Sequence, residues 1–168
     1  GPVDHSLPML AARDTEGTVR AIWANYACHC TTLGSRNAIN GDWAGYASQS
    51  IERAFTNAVS LITIGCGADV GPQPTGGLDH SQQHGKELAD EVRRLLSEKN
   101  TLLRSAPSVV GKQIKLPLEK PESREYWEKL ATDKRYRGQL AKAMLAKLDH
   151  GGRIPDEVEY PLSAWKFG

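Results

Sequence analysis

The sequence has no apolar run approaching the ~18 residues that a membrane-spanning helix needs. It has almost no net charge: 21 Lys and Arg against 20 Asp and Glu leave +1. No bulk attraction to nucleic acid or to anionic lipid follows from that balance. Cysteine is scarce, and its odd count of 3 does not suggest a disulfide framework. Phe and Met each occur twice, and aromatics reach 7%. No internal repeat or low-complexity tract is present, so solenoids, collagens and flexible linkers are excluded. What is there is ordinary for a folded chain: 39% hydrophobic, 24% charged, and 168 residues, about one domain. The start, Gly1-Pro2, carries no signal-peptide pattern. The last residues read as a strand without a closing segment, which is expected of a piece of a longer protein. Export would require a signal preceding this segment, secreted or periplasmic destinations among them.

Thr18 to Cys28 contains Val, Ile, Trp and Tyr and reads as a buried strand. Gly17 suits a turn from an earlier strand around Met9 to Ala12. Thr31 to Gly41 is a polar loop. Asp42 is expected to N-cap a helix whose apolar positions include Trp43, Ala47 and Ile51. Val59 to Ile64 is a second short strand. A glycine-rich loop, Gly65 to Gly77, precedes a helix that starts near Ser81 and carries His84, Leu88, Val92 and Leu95 on one stripe. Val109 to Leu118 reads as a strand, and Pro121 to Asp149 as two helices divided at Gly138. A last strand follows. This alternation predicts an α/β fold: a layered sheet of mixed or mostly parallel strands with helices packed on it. It occupies residues 1–168 as a single domain or a fragment of a larger one.

Two loops follow the two best strands, where α/β sheets bind ligands. The first holds Cys28, His29 and Cys30; the second holds Gly65, Cys66, Gly67, Asp69 and Gly71. A neutral imidazole at a strand end suits a metal ligand or a general base, against the plainer reading of a hydrogen-bonded surface histidine. Asp42 is explained by helix capping, or else it orients His29. Asp69 binds its own turn or accepts a proton. The backbone N–H groups of Gly65 and Gly67 offer an anion cradle, though no nucleotide fingerprint is present. His80 and His84 stand four apart on the second helix, a spacing that can also chelate a metal. Sequence neighbours on a strand point to opposite faces, so His29 is poorly placed to activate Cys28 or Cys30.

Three ordered blocks make a more specific pattern. They are Asn25-Tyr26-Ala27-Cys28-His29-Cys30-Thr31-Thr32-Leu33-Gly34, Asn40-Gly41-Asp42-Trp43-Ala44-Gly45-Tyr46-Ala47, and Ile64-Gly65-Cys66-Gly67-Ala68-Asp69-Val70-Gly71-Pro72. Together they resemble the neutral/alkaline non-lysosomal ceramidase family, and its environmental bacterial members in particular. Later segments, Gly85 to Asp90 and Tyr160 to Gly168, are also similar. The resemblance implies a zinc-dependent amide hydrolase acting on a small-molecule or lipid amide; the near-zero charge gives no expectation of a nucleic-acid partner. It implies that His29, in the Asn-aromatic-x-x-His-x-Thr block, is a zinc ligand. It places Asp42 near that histidine. It puts Gly71 where characterised ceramidases carry a serine proposed as the nucleophile. With that serine absent, Asp69 becomes the candidate proton acceptor for a zinc-bound hydroxide, and Gly65, Gly67 and Gly71 form the substrate loop. The family's further zinc ligands, a histidine upstream and a glutamate and a tyrosine downstream, have no counterpart in the chain. The chain alone is therefore expected to be inactive. The alternative is a non-catalytic binding or structural relative, which Gly71 would suit.

Overall fold

The computed structural model describes residues 3–168; the Gly1-Pro2 start lies outside them. The chain forms two compact units, one reaching to Thr101 and the other running Leu102–Gly168.

The first unit holds a three-stranded sheet in the order β1-β2-β3, with β1 Met9–Arg13, β2 Val19–Tyr26 and β3 Val59–Ile64. β1 and β2 pair antiparallel because only a tight turn joins them. Asp14 builds that turn by accepting the N–H groups of Glu16 and Thr18 on its carboxylate, and Gly17 adopts a positive φ of 85°. β2 and β3 pair parallel, Ala21 opposite Val59 through Tyr26 opposite Ile64. A parallel pair needs a crossover, which helix α1 (Asp42–Ala54) supplies. Helix α2 (Leu78–Ser97) follows β3.

Alternation along β2 sends Ile22 and Ala24 to one face, where they are buried against the two helices. α1 meets them with Trp43, Ala47 and Ile51 at one-turn spacing, and α2 with Leu88, Ala89 and Val92. Full burial of a side chain such as Ile51 or Val92 contributes about 1.5–3 kcal/mol. The helices cross closely because position 85 is glycine. A Cβ there would stand 2.5 Å from Tyr46 Cβ and 2.8 Å from the backbone of Trp43 and Ala47.

The second unit pairs β4 (Ser108–Pro117) antiparallel with β5 (Glu157–Lys166) and contains α3 (Arg124–Leu130) and α4 (Tyr136–Asp149). Ser123 caps α3 by accepting the Tyr126 N–H on its hydroxyl at 3.3 Å.

Three expectations are corrected here. Among the described residues the fold is mixed α/β with four helices and two small sheets, in place of the one layered sheet of mixed or mostly parallel strands. Among the described residues only β2–β3 is parallel, because α2 leads into a second sheet and never returns to the first. Gly138 does not divide the helices; the break is at residues 131–135 and Gly138 lies inside α4. It is glycine for room: a Cβ there would fall 1.8 Å from the carbonyl oxygen of Asp133. Asp42 is not the N-cap of α1. Gly41 holds that place, and Asp42 is the first helical residue.

Candidate functional site

Because β2 and β3 run parallel, their carboxyl ends emerge side by side. The loop after β2 is thereby laid against the loop after β3. Their contact is a clasp around His29. The His29 N–H donates to the Val70 carbonyl at 2.9 Å, and the His29 ring Nε2 stands 3.0 Å from the Ala68 carbonyl oxygen. A carbonyl only accepts, so Nε2 carries the proton in that contact, and the neutral ring keeps Nδ1 as a lone-pair donor. The imidazole itself is exposed.

The loop after β3 is glycine-rich because it must approach that close. A Cβ on Gly67 would lie 2.5 Å from the Cys28 nitrogen, and one on Gly65 would lie 2.9 Å from Asn25 Nδ2. The N–H of Gly65 donates to the Tyr26 carbonyl and that of Gly67 to the Gly65 carbonyl. These two N–H groups are engaged inside the protein and do not form an open anion cradle. Gly71 differs, since nothing lies within 4 Å of a Cβ built on it. Asp69 occupies the exposed turn closed by the Val70 N–H on the Gly67 carbonyl, between the two residues whose carbonyls hold His29.

Asp42 sits behind the clasp, 6% exposed, with a positive φ of 51°. Such a conformation is uncommon outside glycine, and Asp is among the residues that tolerate it. Here it is held from all sides. The Asp42 N–H donates to Asn40 Oδ1 at 2.7 Å, and its carboxylate accepts the N–H groups of Trp43 at 2.6 Å and Leu33 at 2.9 Å. The Ser81 hydroxyl donates to it at 3.3 Å. Burial pushes this carboxyl up. The Leu33 N–H, the nearby Thr32 hydroxyl and the Trp43 N–H outweigh that and hold it below the ordinary value. The buried Thr32 hydroxyl meets no partner at good hydrogen-bond geometry, yet lies near enough to favour the ionised form.

Asp42 makes no direct bond to the His29 side chain. The link runs through Trp43, whose backbone N–H binds the Asp42 carboxylate and whose indole N–H donates to the His29 carbonyl at 2.8 Å. The ring of Trp43 also meets Tyr26 edge-on at 6.1 Å. Trp43 is the residue that sequence reasoning placed only in the core. Its position directly after Asp42 was the available signal.

Beside the clasp lies a cavity of about 640 Å³, within the usual range for small-molecule sites. Tyr26, Trp43, Val70 and Leu88 give it an apolar lining; Gly71 borders it, and His84 and Glu87 bring polar groups. His84 directs Nε2 to the Pro74 carbonyl at 2.9 Å and Nδ1 toward Glu87 at 3.7 Å. Cys28 also lines this cavity. Burial first, and then the Asp42 carboxylate, push its thiol up, which leaves it a poor nucleophile.

The resemblance to ceramidases implies zinc, so the donors must be tested for it. His29 presents a tautomer that suits a ligand, its other nitrogen bound to a carbonyl. Catalytic zinc takes about three protein ligands. Among the described residues, no group of three or more His, Cys, Asp or Glu is arranged to hold a metal. Asp42 is bound by its backbone donors. These residues do not fit a complete zinc site.

The architecture is thus mixed α/β, with an apolar cavity and a histidine at the ends of two parallel strands. Solved structures similar to it in fold include ceramidases. Neutral ceramidase from Pseudomonas aeruginosa superposes with a TM-score of 0.69 over 99% of this chain, at 13% identity. A structure described as ceramidase complexed with C2 matches 67% of this chain with a TM-score of 0.61, at 14% identity. The chain spans 33% and 19% of the length of those two proteins. At such identities the likeness establishes a shared fold. No protein-family model and no curated protein matches the chain.

Proposed function

We propose that this chain forms part of an amide hydrolase of neutral ceramidase type and supplies one zinc ligand, His29, to a site completed by residues outside these 168. The observation that carries the reading is the clasp: His29 is held at backbone and ring by the loop after β3, with Nδ1 left as a lone-pair donor. The likeness to ceramidase structures supports the fold on which the reading rests. Zinc, where bound, would polarise an amide carbonyl and activate water. This chain's own contribution is positional. Asp42 and Trp43 fix the His29 backbone, and the apolar cavity beside it receives the non-reacting part of a small-molecule or lipid amide. Gly71 borders that cavity without a hydroxyl, so no serine nucleophile is available at that position. Asp69, exposed in the clasping turn, is the proposed proton acceptor.

The test compares the 168-residue chain with a longer product of the same gene, each with and without His29→Ala. Metal content and cleavage of an N-acyl lipid amide are measured together. The short chain should cleave nothing, and the longer one should retain zinc and cleave, losing both with His29→Ala. Zinc-dependent cleavage by the short chain, or cleavage that survives His29→Ala, would sink the reading.

A further inference from the structure

A buried polar hub ties α2 to the loop that presents His29. Its centre is the Asp42 carboxylate, which takes donors from three separate segments. The Leu33 N–H comes from the loop after β2, the Trp43 N–H from the first turn of α1, and the Ser81 hydroxyl from α2. A second tie runs beside it: the Gly76 N–H, just ahead of α2, donates to the Thr32 carbonyl at 2.7 Å.

Ser81 is the donor that packing does not explain. It is 0% exposed and shares a stripe of α2 with Gly85 and Ala89, the stripe that faces α1 at close range. Packing there asks only for a small side chain, and alanine would meet that demand. A serine hydroxyl inside a helix commonly folds back onto a carbonyl one turn earlier. The Ser81 hydroxyl instead reaches Asp42, 39 residues away in sequence. A buried hydroxyl is costly to desolvate unless it finds such a partner. One and two turns further along the same helix, His84 and Leu88 wall the cavity. The connection to the histidine is continuous. Ser81 binds the Asp42 carboxylate, the carboxylate binds the Trp43 N–H, and the Trp43 indole binds the His29 carbonyl. The wall of the cavity and the loop carrying His29 are thereby held to one carboxylate.

We propose that Ser81 is a positioning residue: acting through Asp42 and Trp43, it fixes the cavity wall on α2 against the loop that presents His29. A reacting group and a bound substrate need such a fixed relation. That meaning rests on the reading of His29 and the cavity as one site. The coupling itself needs neither zinc nor hydrolysis, so it stands or falls separately from the proposed activity. The experiment is hydrogen exchange by NMR on the 168-residue chain, read at the amides and at the Trp43 indole. Ser81→Ala should speed exchange at the Leu33 amide, the His29 amide and the Trp43 indole N–H by about fivefold, the loss of one hydrogen bond. The amides of β1 and β2 should keep their rates, and the indole nitrogen resonance should shift. Ser48→Ala removes a comparable hydroxyl, one that donates to the Ser60 carbonyl, and should leave all three probes unchanged. In a Trp43→Phe background the route to His29 is cut, so Ser81→Ala should still free Leu33 and add nothing at His29. Ser81→Cys keeps a weak donor and should give the same pattern at smaller size. It carries the test if circular dichroism shows Ser81→Ala unfolded. Three results would overturn the proposal: unchanged rates at the three probes, an equal rise throughout the unit, or a His29 response that persists in Trp43→Phe.

Discussion

The indole N–H of Trp43 donates to the carbonyl of His29 at 2.8 Å, and the backbone N–H of the same tryptophan binds the carboxylate of Asp42 at 2.6 Å. One residue thus carries the strained start of a helix to the loop that presents the histidine. Asp42 acts on His29 through the backbone, and the ring is left to the carbonyl of Ala68.

Trp43→Phe keeps the buried aromatic and removes that one donor. It should cost about 1 kcal/mol, seen as a fall of about 2–4 °C in melting temperature. The amide of His29 should exchange faster while β2 keeps its protection. An unchanged exchange rate at His29 would show that the indole does not hold the loop.

Asp42→Ala removes the acceptor for two backbone N–H groups and should cost about 2–3 kcal/mol. Asp42→Asn keeps an acceptor and tolerates positive φ, and should lose about half as much. Denaturant melts of the two variants check the order. Equal losses would mean that charge, not hydrogen bonding, holds the residue.

The same carboxylate sets a pH dependence. Its pKa is lowered on folding, so the unfolded chain binds the proton more readily. The stabilisation is complete above the ordinary value of 3.8 and is lost as pH falls through the lower folded value. Acid titration of stability should therefore be steeper in the wild type than in Asp42→Asn. Superimposable curves would remove Asp42 from the account.

The glycines of the second loop should separate on substitution. Gly67→Ala forces a Cβ to 2.5 Å from the Cys28 nitrogen and should destabilise by about 1–3 kcal/mol. Gly71→Ala meets open space and should be near neutral in stability. Thermal melts of both variants decide it. A large loss at Gly71 would show that its freedom matters for folding and not for access to the cavity.

Thiol reactivity tests the placement of the cysteines. Cys66 is exposed, Cys28 is buried, and burial raises the thiols of both Cys28 and Cys30. A disulfide reagent followed by peptide mass mapping should label Cys66 first. Early labelling of Cys28 would contradict its burial.

Much of the first unit can be read from residues alone. Val59–Ile64 is a strand with the bounds its β-branched run implies, and Asp42 does open a helical segment. The misreadings have physical causes. An aspartate before a helix suggests a cap, but its positive φ depends on partners at Leu33, Asn40 and Ser81 that sequence order does not bring together. Gly138 looks like a breaker, although it answers a packing demand from Asp133 that appears only in three dimensions. Alternating strands and helices imply one layered sheet of mixed or mostly parallel strands, and nothing in that pattern reveals that α2 passes to a second one. At the site, the adjacency of the two strand-end loops is legible. The backbone clasp that joins Val70 to His29 is not, because nothing local to His29 names its partner.

The parallel pairing of β2 and β3 also bears on how the chain folds. β1 and β2 can zip through a short turn, and α1 can form locally. The bonds from His29 to Ala68 and Val70 must wait until the intervening crossover has closed a loop of about forty residues. The clasp is therefore among the late contacts of its unit. A probe at His29 would report completion of folding there, while probes on the β1–β2 hairpin would report its beginning.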